Sequence, residues 1–249
     1  MVSIKYWSII NIMDKLIAGA KKLGINLNSS QLAQFAVYYS ELAEWNKRVN
    51  LTSITGIEGV YVKHFLDSLT VFLGLGEEPV NPRLIDIGAG AGFPGLPLKI
   101  ALPRVELTLI EATARKSDFL EHIIDKLGLN SASVVSGRAE DIAHQQDFRE
   151  RFDYAVSRGV AGMATLAELT LPFCAIGGRL IAQKKGGITA EVKAAATAIR
   201  LMGGDTPQIK RVGLEALSDE RYLVIVDKIE PTPEKYPRRP GMPAKRPIM

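Results

Sequence analysis

The sequence predicts an α/β fold, with a mostly parallel seven-stranded sheet, helices on both faces and an N-terminal helical segment before it. Three observations point there. Apolar residues in the first 75 positions recur at the period of amphipathic helices. From Arg83 onward, short apolar strands alternate with helical patterns, which implies a parallel sheet covered on both sides. The first of those strands runs into glycines at alternate positions and then into a helix.

Met13 opens an amphipathic helix with Leu16, Ile17, Ala20 and Leu23 inward. A second carries Leu32, Phe35, Ala36, Tyr39, Leu42 and Ala43, with Ser29 or Ser30 as its cap. Asn50-Leu51-Thr52-Ser53 breaks the pattern. A third helix is expected over 57–73, with Val60, Phe65, Leu69 and Phe72 inward. Two prolines mark 77–82 as a linker. Strands are expected at 84–87, 105–110, 132–135, 154–157, 179–183, 208–212 and 222–227. The last follows another strand directly and reads as an antiparallel edge strand. The tail from Pro231 holds six of the thirteen prolines, and from Lys235 it has five cations (Lys235, Arg238, Arg239, Lys245, Arg246) and no acid. It can be neither a regular helix nor a central strand. The expected division is a helical segment at 1–80, a catalytic domain at 81–230 and a basic, proline-rich tail at 231–249.

The 249 residues are 47% hydrophobic and 23% charged, enough to bury a core and too apolar to be disordered overall. The formal charge of +4 permits a nucleic-acid partner without demanding one. A lone cysteine, Cys174, excludes an internal disulfide and suits a reducing compartment. It precedes Gly177-Gly178 and reads as a small buried hydrophobe. Three unclustered histidines argue against a metal site. No apolar run reaches the roughly 18–20 residues of a membrane span. The N-terminus is interrupted by Asn11, Asp14 and Lys15, so no signal peptide is expected.

The chemistry concentrates in Leu84-Ile85-Asp86-Ile87-Gly88-Ala89-Gly90-Ala91-Gly92-Phe93-Pro94-Gly95. Glycines let such a turn adopt positive φ and let a ligand approach its backbone. The ligand then sits at the carboxyl end of the first strand, at the topological switch point. Dinucleotide folds want Gly-x-Gly-x-x-Gly, and here Phe93 holds the third glycine's place. Gly88-x-Gly90-x-Gly92 resembles instead the first motif of class I, Rossmann-like methyltransferases, whose cofactor is S-adenosylmethionine. Glu111, 23 residues after Gly88, ends the second strand and can accept both ribose hydroxyls of an adenosine. Ala139 and Glu140, after the third strand, are candidates for the adenine edge. Arg158 ends the fourth, where class I enzymes meet their substrate. An Asn/Asp-Pro-Pro-aromatic motif and a Pro-Cys nucleophile are both absent from the sequence. These absences suit an acceptor with a free lone pair, such as guanine N7, which needs positioning and exclusion of water rather than a general base. N7 must stay free to react, so a cofactor or phosphate role is favoured for Arg158 over bidentate reading of guanine.

Asn50-Leu51-Thr52-Ser53, His64-Phe65-Leu66-Asp67-Ser68-Leu69, the glycine run, Val156-Ser157-Arg158 and Lys235-Tyr236-Pro237-Arg238-Arg239-Pro240-Gly241 occur in that order. Together they resemble the RsmG family, also called glucose-inhibited division protein B, over nearly the whole chain from about Met13. The resemblance implies methyl transfer from S-adenosylmethionine to N7 of one guanosine in 16S ribosomal RNA, in the bacterial cytoplasm. It implies cofactor contacts at Gly88, Phe93, Ala139, Glu140 and Arg158, with Glu111, Ala112 and Thr113 as the ribose segment.

The ribosomal RNA, or the small subunit, is then the partner. Candidate RNA contacts are Asn50 (beside Asn46, Lys47, Arg48 and Thr52), Arg115, Lys116, Lys184 (with Lys185), Arg238 and Arg239. Such groups contact phosphates and position the RNA rather than read it. Arg115, Arg158 and Lys184 are expected on one rim of the sheet. A lone helical histidine such as His64 is more often structural than part of a site. No membrane or metal partner is expected, and nothing demands an oligomer, so a monomer is the expected state. The alternatives are a class I methyltransferase acting on a small molecule or protein, which would ignore the tail, and a non-catalytic ribosomal RNA-binding module indifferent to the cofactor. A nicotinamide oxidoreductase is disfavoured by Phe93 and by the lack of a Tyr-x-x-x-Lys pair.

Overall fold

The computed structural model describes residues 2–76 and 80–249, with side chains from residue 12 onward. Positions 77–79 of the expected linker lie outside the described residues. Seven strands form one sheet: β1 (Arg83–Ile87), β2 (Glu106–Glu111), β3 (Ala132–Ser136), β4 (Phe152–Arg158), β5 (Cys174–Lys185), β6 (Gln208–Val212) and β7 (Arg221–Asp227). Their order is β3-β2-β1-β4-β5-β7-β6. The first five are mutually parallel, and β7 runs antiparallel to both β5 and β6. The expected antiparallel strand is therefore present but is not the edge. It inserts between β5 and β6, because a short β6–β7 connection lets β7 fold back into the slot beside β5 and pushes β6 outward.

The chain reverses direction across the sheet between β1 and β4. Successive residues of β1 serve opposite faces: Leu84 joins one core, and Ile85 and Ile87 join the other. The first face is covered by α1 (Val2–Lys22), α2 (Ser29–Trp45) and the helices that follow them. Those are α3 (Ile57–Val60), a π-helical stretch (Tyr61–Leu66), α4 (Asp67–Leu69), α5 (Phe72–Leu75), α6 (Gly95–Ala101) and α7 (Ala114–Leu127). The second face is covered by α8 (Ala139–Ile142), α9 (Met163–Thr170), α10 (Ile188–Ala194) and α11 (Ala196–Leu201).

The N-terminal helices depart from expectation in four ways. The first begins at Val2 rather than near Met13. Asn28, not Ser29 or Ser30, caps α2: its side chain accepts the Gln31 N–H and the Gln31 side chain accepts the Asn28 N–H, a reciprocal box. The buried stripe of α2 is Gln31, Phe35, Tyr38 and Leu42, and Ala43 faces solvent. The single helix expected over 57–73 is broken by the π-helical stretch, whose extra residue per turn rotates His64 and Asp67 relative to the helix before them.

From Pro231 the tail is irregular, as its prolines require, except for one helical turn, α12 (Met242–Lys245). It packs against α9. No helix among the described residues is long and apolar enough to cross a membrane.

The N-terminal segment and the sheet share one apolar cluster, in which Leu16, Phe35 and Phe65 meet Leu84, Leu109 and Ile181. Phe35 is fully buried, with its ring 5.0 Å from that of Phe65. Phe35→Ala is expected to cost about 3–5 kcal/mol. Both tryptophans lie in the N-terminal segment. Fluorescence and far-UV circular dichroism should therefore follow one coincident urea transition if the segment and the sheet unfold together.

Candidate functional site

Registered parallel pairing brings the carboxyl ends of β1 to β4 to one rim. Ile87 stands beside Ile110, Glu111 beside Ser136, and Arg158 beside Gln183. The glycine run leaves β1 at this rim, and each glycine is required for a different reason. Gly88 has φ +71°, and a Cβ there would meet Val160 at 2.7 Å. Gly92 has φ +92°, and its Cβ would strike Leu96 at 2.4 Å and the Tyr38 hydroxyl at 2.6 Å, so it serves helix packing. Gly90 has φ +61°, and only the Gly88 carbonyl lies near its Cβ position, at 3.9 Å. Open space faces the backbone at Gly90, which is where a ligand could approach.

Glu111 braces this loop. One carboxylate oxygen accepts the Gly90 N–H at 2.9 Å and the other accepts the Thr113 N–H at 2.8 Å. The carboxylate is buried, yet each oxygen keeps a lone pair for a further donor. Ala112 and Thr113 are exposed, with Thr113 preceding α7. Ala139 and Glu140 open α8 and are buried. Glu140 Oε1 accepts the Gly241 N–H at 2.9 Å, so the tail reaches this corner of the rim.

Asp86 lies beneath the loop. Its Oδ2 accepts the Gly95 N–H at 2.8 Å, and its Oδ1 is buried with no partner among the described residues. Burial pushes its carboxyl up to about 7, against the pull of the Gly95 N–H and Arg158. An unpartnered buried acceptor is costly unless something occupies it.

Arg158 is 17% exposed and lies across the Phe93 ring at 4.9 Å. Its guanidinium donates to Asp67 Oδ2 at 3.3 Å, to the Lys63 carbonyl at 3.3 Å and to His64 Nδ1 at 3.1 Å. It is therefore no surface ion pair. Burial lowers its pKa, opposed first by Asp67 and then by Asp86. His64 stacks on Phe93 at 4.5 Å and 14°. Arginine can only donate, so His64 Nδ1 accepts, and Nε2 carries the proton that meets Thr52 Oγ1 at 2.8 Å. Burial and the neighbouring Arg158 push the His64 pKa down to about 3, which keeps the imidazole neutral. Asp67 Oδ1 accepts from Arg221 Nε at 3.1 Å, and Arg221 also meets Asp219. Gln183 donates to the Asp67 carbonyl. Tyr38 closes the floor, with its hydroxyl on the Ala91 carbonyl and its ring 5.6 Å from Phe93; burial raises its pKa well above the ordinary value.

The expected RNA contacts divide. Asn50, Arg115 and Arg239 are exposed and Lys116 is partly exposed. Lys184 is held at the Ala161 carbonyl (2.6 Å) and at Glu191 (2.8 Å). Arg238 is held by Glu168, through Nη2–Oε2 at 2.7 Å. Both are committed within the fold, which leaves them fewer donors for phosphate. Asn46 and Thr52 also turn inward: Asn46 Oδ1 accepts the Leu51 and Thr52 N–H groups, pinning the loop that supports His64. Cys174 is buried at the start of β5, and its thiol is pushed up to about 12. No cluster of three potential metal ligands occurs among the described residues.

Sequence reasoning left His64 as a structural histidine and gave no role to Asp86, Asp67, Arg221 or Tyr38. Asp67 lies inside a quoted motif, and Asp86 sits two residues before Gly88, so both had a signal. Arg221, one residue before an expected strand, had none.

The glycines separate binding from folding. Gly90→Val should abolish binding of S-adenosylmethionine, measured by calorimetry, because a side chain would fill the open space. Gly92→Ala should act on stability, because its Cβ would collide with Leu96 and Tyr38. Wild-type binding by a folded Gly90→Val protein would contradict the assignment.

A family model described as rRNA small subunit methyltransferase G matches residues 31–221. Curated proteins named "Ribosomal RNA small subunit methyltransferase G" are similar along almost the whole chain. The one from Dehalococcoides mccartyi (strain BAV1) is 52% identical over 95% of this chain and all of its own length. The one from Moorella thermoacetica is 49% identical over 94% of this chain and 98% of its own. Among solved structures, TrmN from Thermus thermophilus aligns with a TM-score of 0.52 at 15% identity, covering 74% of this chain and 52% of its own. The geranyl diphosphate C-methyltransferase from Streptomyces coelicolor aligns at 0.50 and 13%, covering 77% and 98%. At such identities the likeness is one of fold, a sheet of the class I methyltransferase type. With three quarters of its length matched by the family model and relatives near half identity over almost all of it, the chain belongs to the GidB family of small-subunit rRNA methyltransferases G.

Proposed function

We propose that this protein transfers a methyl group from S-adenosylmethionine to N7 of a guanosine in 16S ribosomal RNA, by positioning and without a general base. Family membership makes it an rRNA methyltransferase that uses S-adenosylmethionine. The observation that carries the cofactor reading is the open cradle at Gly90, braced by the Glu111 carboxylate at the switch point of the sheet.

The residues present fit the cofactor. Gly90 leaves room, Glu111 has lone pairs for two ribose hydroxyls, and Asp86 Oδ1 is an acceptor without a donor among the described residues. When bound, S-adenosylmethionine supplies an electrophilic methyl on a sulfonium. Ala139 and Glu140 border the adenine end, and Ala112 and Thr113 the ribose. Phe93 and Arg158 form the wall on the acceptor side. Guanine N7 carries no proton, so nothing need be abstracted before it attacks. His64 suits that reading, since it is neutral and both its ring nitrogens are engaged. Arg158 holds the cofactor carboxylate or a backbone phosphate. Asn50, Arg115, Lys116 and Arg239 offer exposed polar groups to the RNA backbone, with Lys184 and Arg238 ordering the segments beside them. In this reading 81–230 is the catalytic domain, 1–80 the helical segment that completes its acceptor wall and 231–249 a basic tail. The protein acts as a monomer in the cytoplasm.

The test is transfer of a radiolabelled methyl group from S-adenosylmethionine, offered undermethylated 16S RNA, small subunits, DNA and total protein. Label should appear only as N7-methylguanosine after digestion of the RNA, and label in protein or DNA would discard the acceptor. Arg158→Ala should fold and lose about a hundredfold in turnover, the scale of a misplaced reactant. A folded Arg158→Ala protein with unchanged turnover would remove Arg158 from the site.

A further inference from the structure

The C-terminal tail carries contacts that a solvated basic extension would not make. Glu168 is completely buried in α9, and its carboxylate is met by the Arg238 backbone N–H at 2.8 Å, by Nε at 2.9 Å and by Nη2 at 2.7 Å. Arg149 donates to the carbonyls of Thr232, Pro233 and Tyr236. His144 Nε2 meets the Pro237 carbonyl at 2.8 Å, and Thr165 donates to that of Pro243 at 3.0 Å. Prolines limit the tail's own backbone bonds to a few turns, such as the Tyr236 N–H on the Pro233 carbonyl, and side chains of the domain take up further carbonyls. Three residues beyond Arg238, the Gly241 N–H reaches Glu140 Oε1, at the adenine corner of the rim.

We propose that the tail is a positioning element of the cofactor pocket. The Arg238–Glu168 ion pair seats residues 238–241 so that the Gly241 N–H fixes Glu140 and, with it, the start of α8. The inference rests on the cofactor site proposed above. A buried carboxylate left without its arginine is expensive, so the seat is held in one arrangement. Cofactor binding and tail seating then stabilise one another, because linkage is reciprocal.

Two measurements test it. In Arg238→Gln the dissociation constant for S-adenosylmethionine should rise about tenfold, within the usual range of such coupling, and Arg238→Lys should fall between it and wild type. Arg238→Lys keeps the charge and loses only the fork, so it decides the matter if Arg238→Gln does not fold. Lys245→Gln, at an exposed cation elsewhere in the tail, should bind the cofactor as wild type does. In the unmodified protein, S-adenosylmethionine should slow amide hydrogen exchange at Gly241, a change that a purely structural tail would not show. Wild-type affinity in a folded Arg238 variant, or unchanged exchange at Gly241 on saturation, overturns the proposal. Absence of binding by the unmodified protein would instead overturn the cofactor reading itself, and this inference with it.

Discussion

The buried carboxylate of Asp67, held between Arg158 and Arg221, is the constraint on which the wall formed by Arg158, Phe93 and His64 depends. It belongs to the N-terminal segment, whereas Arg158 ends β4 and Arg221 begins β7. One side chain therefore ties the appended helices to two strands. Burying three charges is tolerable because the hydrogen bonds are distributed. Asp67 accepts from both guanidinium groups, and Arg221 also meets Asp219. Removing one member would leave uncompensated charge in a dry place, at about 3–5 kcal/mol. The same pairing holds Arg158 against Phe93 and His64, so its orientation follows from a residue in a different part of the chain.

Two kinds of constraint meet at the rim. At the glycine run the backbone does most of the shaping. Gly88 and Gly92 are glycine because neighbouring side chains leave no room, and Gly90 because its backbone takes positive φ beside open space. Glu111 then fixes the loop through backbone N–H groups, which any cofactor donor would share rather than displace. Around Arg158 the shaping comes from side chains. The π-helical stretch and the Asn46-pinned loop bring His64 and Asp67 to the rim.

The strands were readable because each is a compact apolar run bounded by turns, and every expected one falls within about two residues of an observed strand except at the long β5, which begins five residues early with Cys174 paired to Phe152 across a register shift. Period and composition could not give the order of β6 and β7, since a local hairpin fits an edge or an interior slot equally well. Nor could they foresee the π-helical stretch, which packs against α1 and sets the Phe65 ring against Phe35 of α2 without a local signal in the sequence. In the site, residues that act through backbone geometry, such as Gly88 and Gly90, stood out in the sequence. Residues that act through distant ion pairs did not: Asp67 and Arg221 are 154 positions apart. Arg238 and Lys184 read as free cations because their acidic partners, Glu168 and Glu191, lie in helices whose faces only the fold defines.

A double-mutant cycle tests most directly whether Asp67 orients Arg158 at the rim. Turnover in methyl transfer to 16S RNA would be determined for Asp67→Asn, Arg158→Lys and the pair together. Each single change should lower turnover and the double change should cost less than their sum, with a coupling of about 1 kcal/mol or more. Strict additivity, or unaltered turnover in a folded Asp67→Asn protein, would contradict that role.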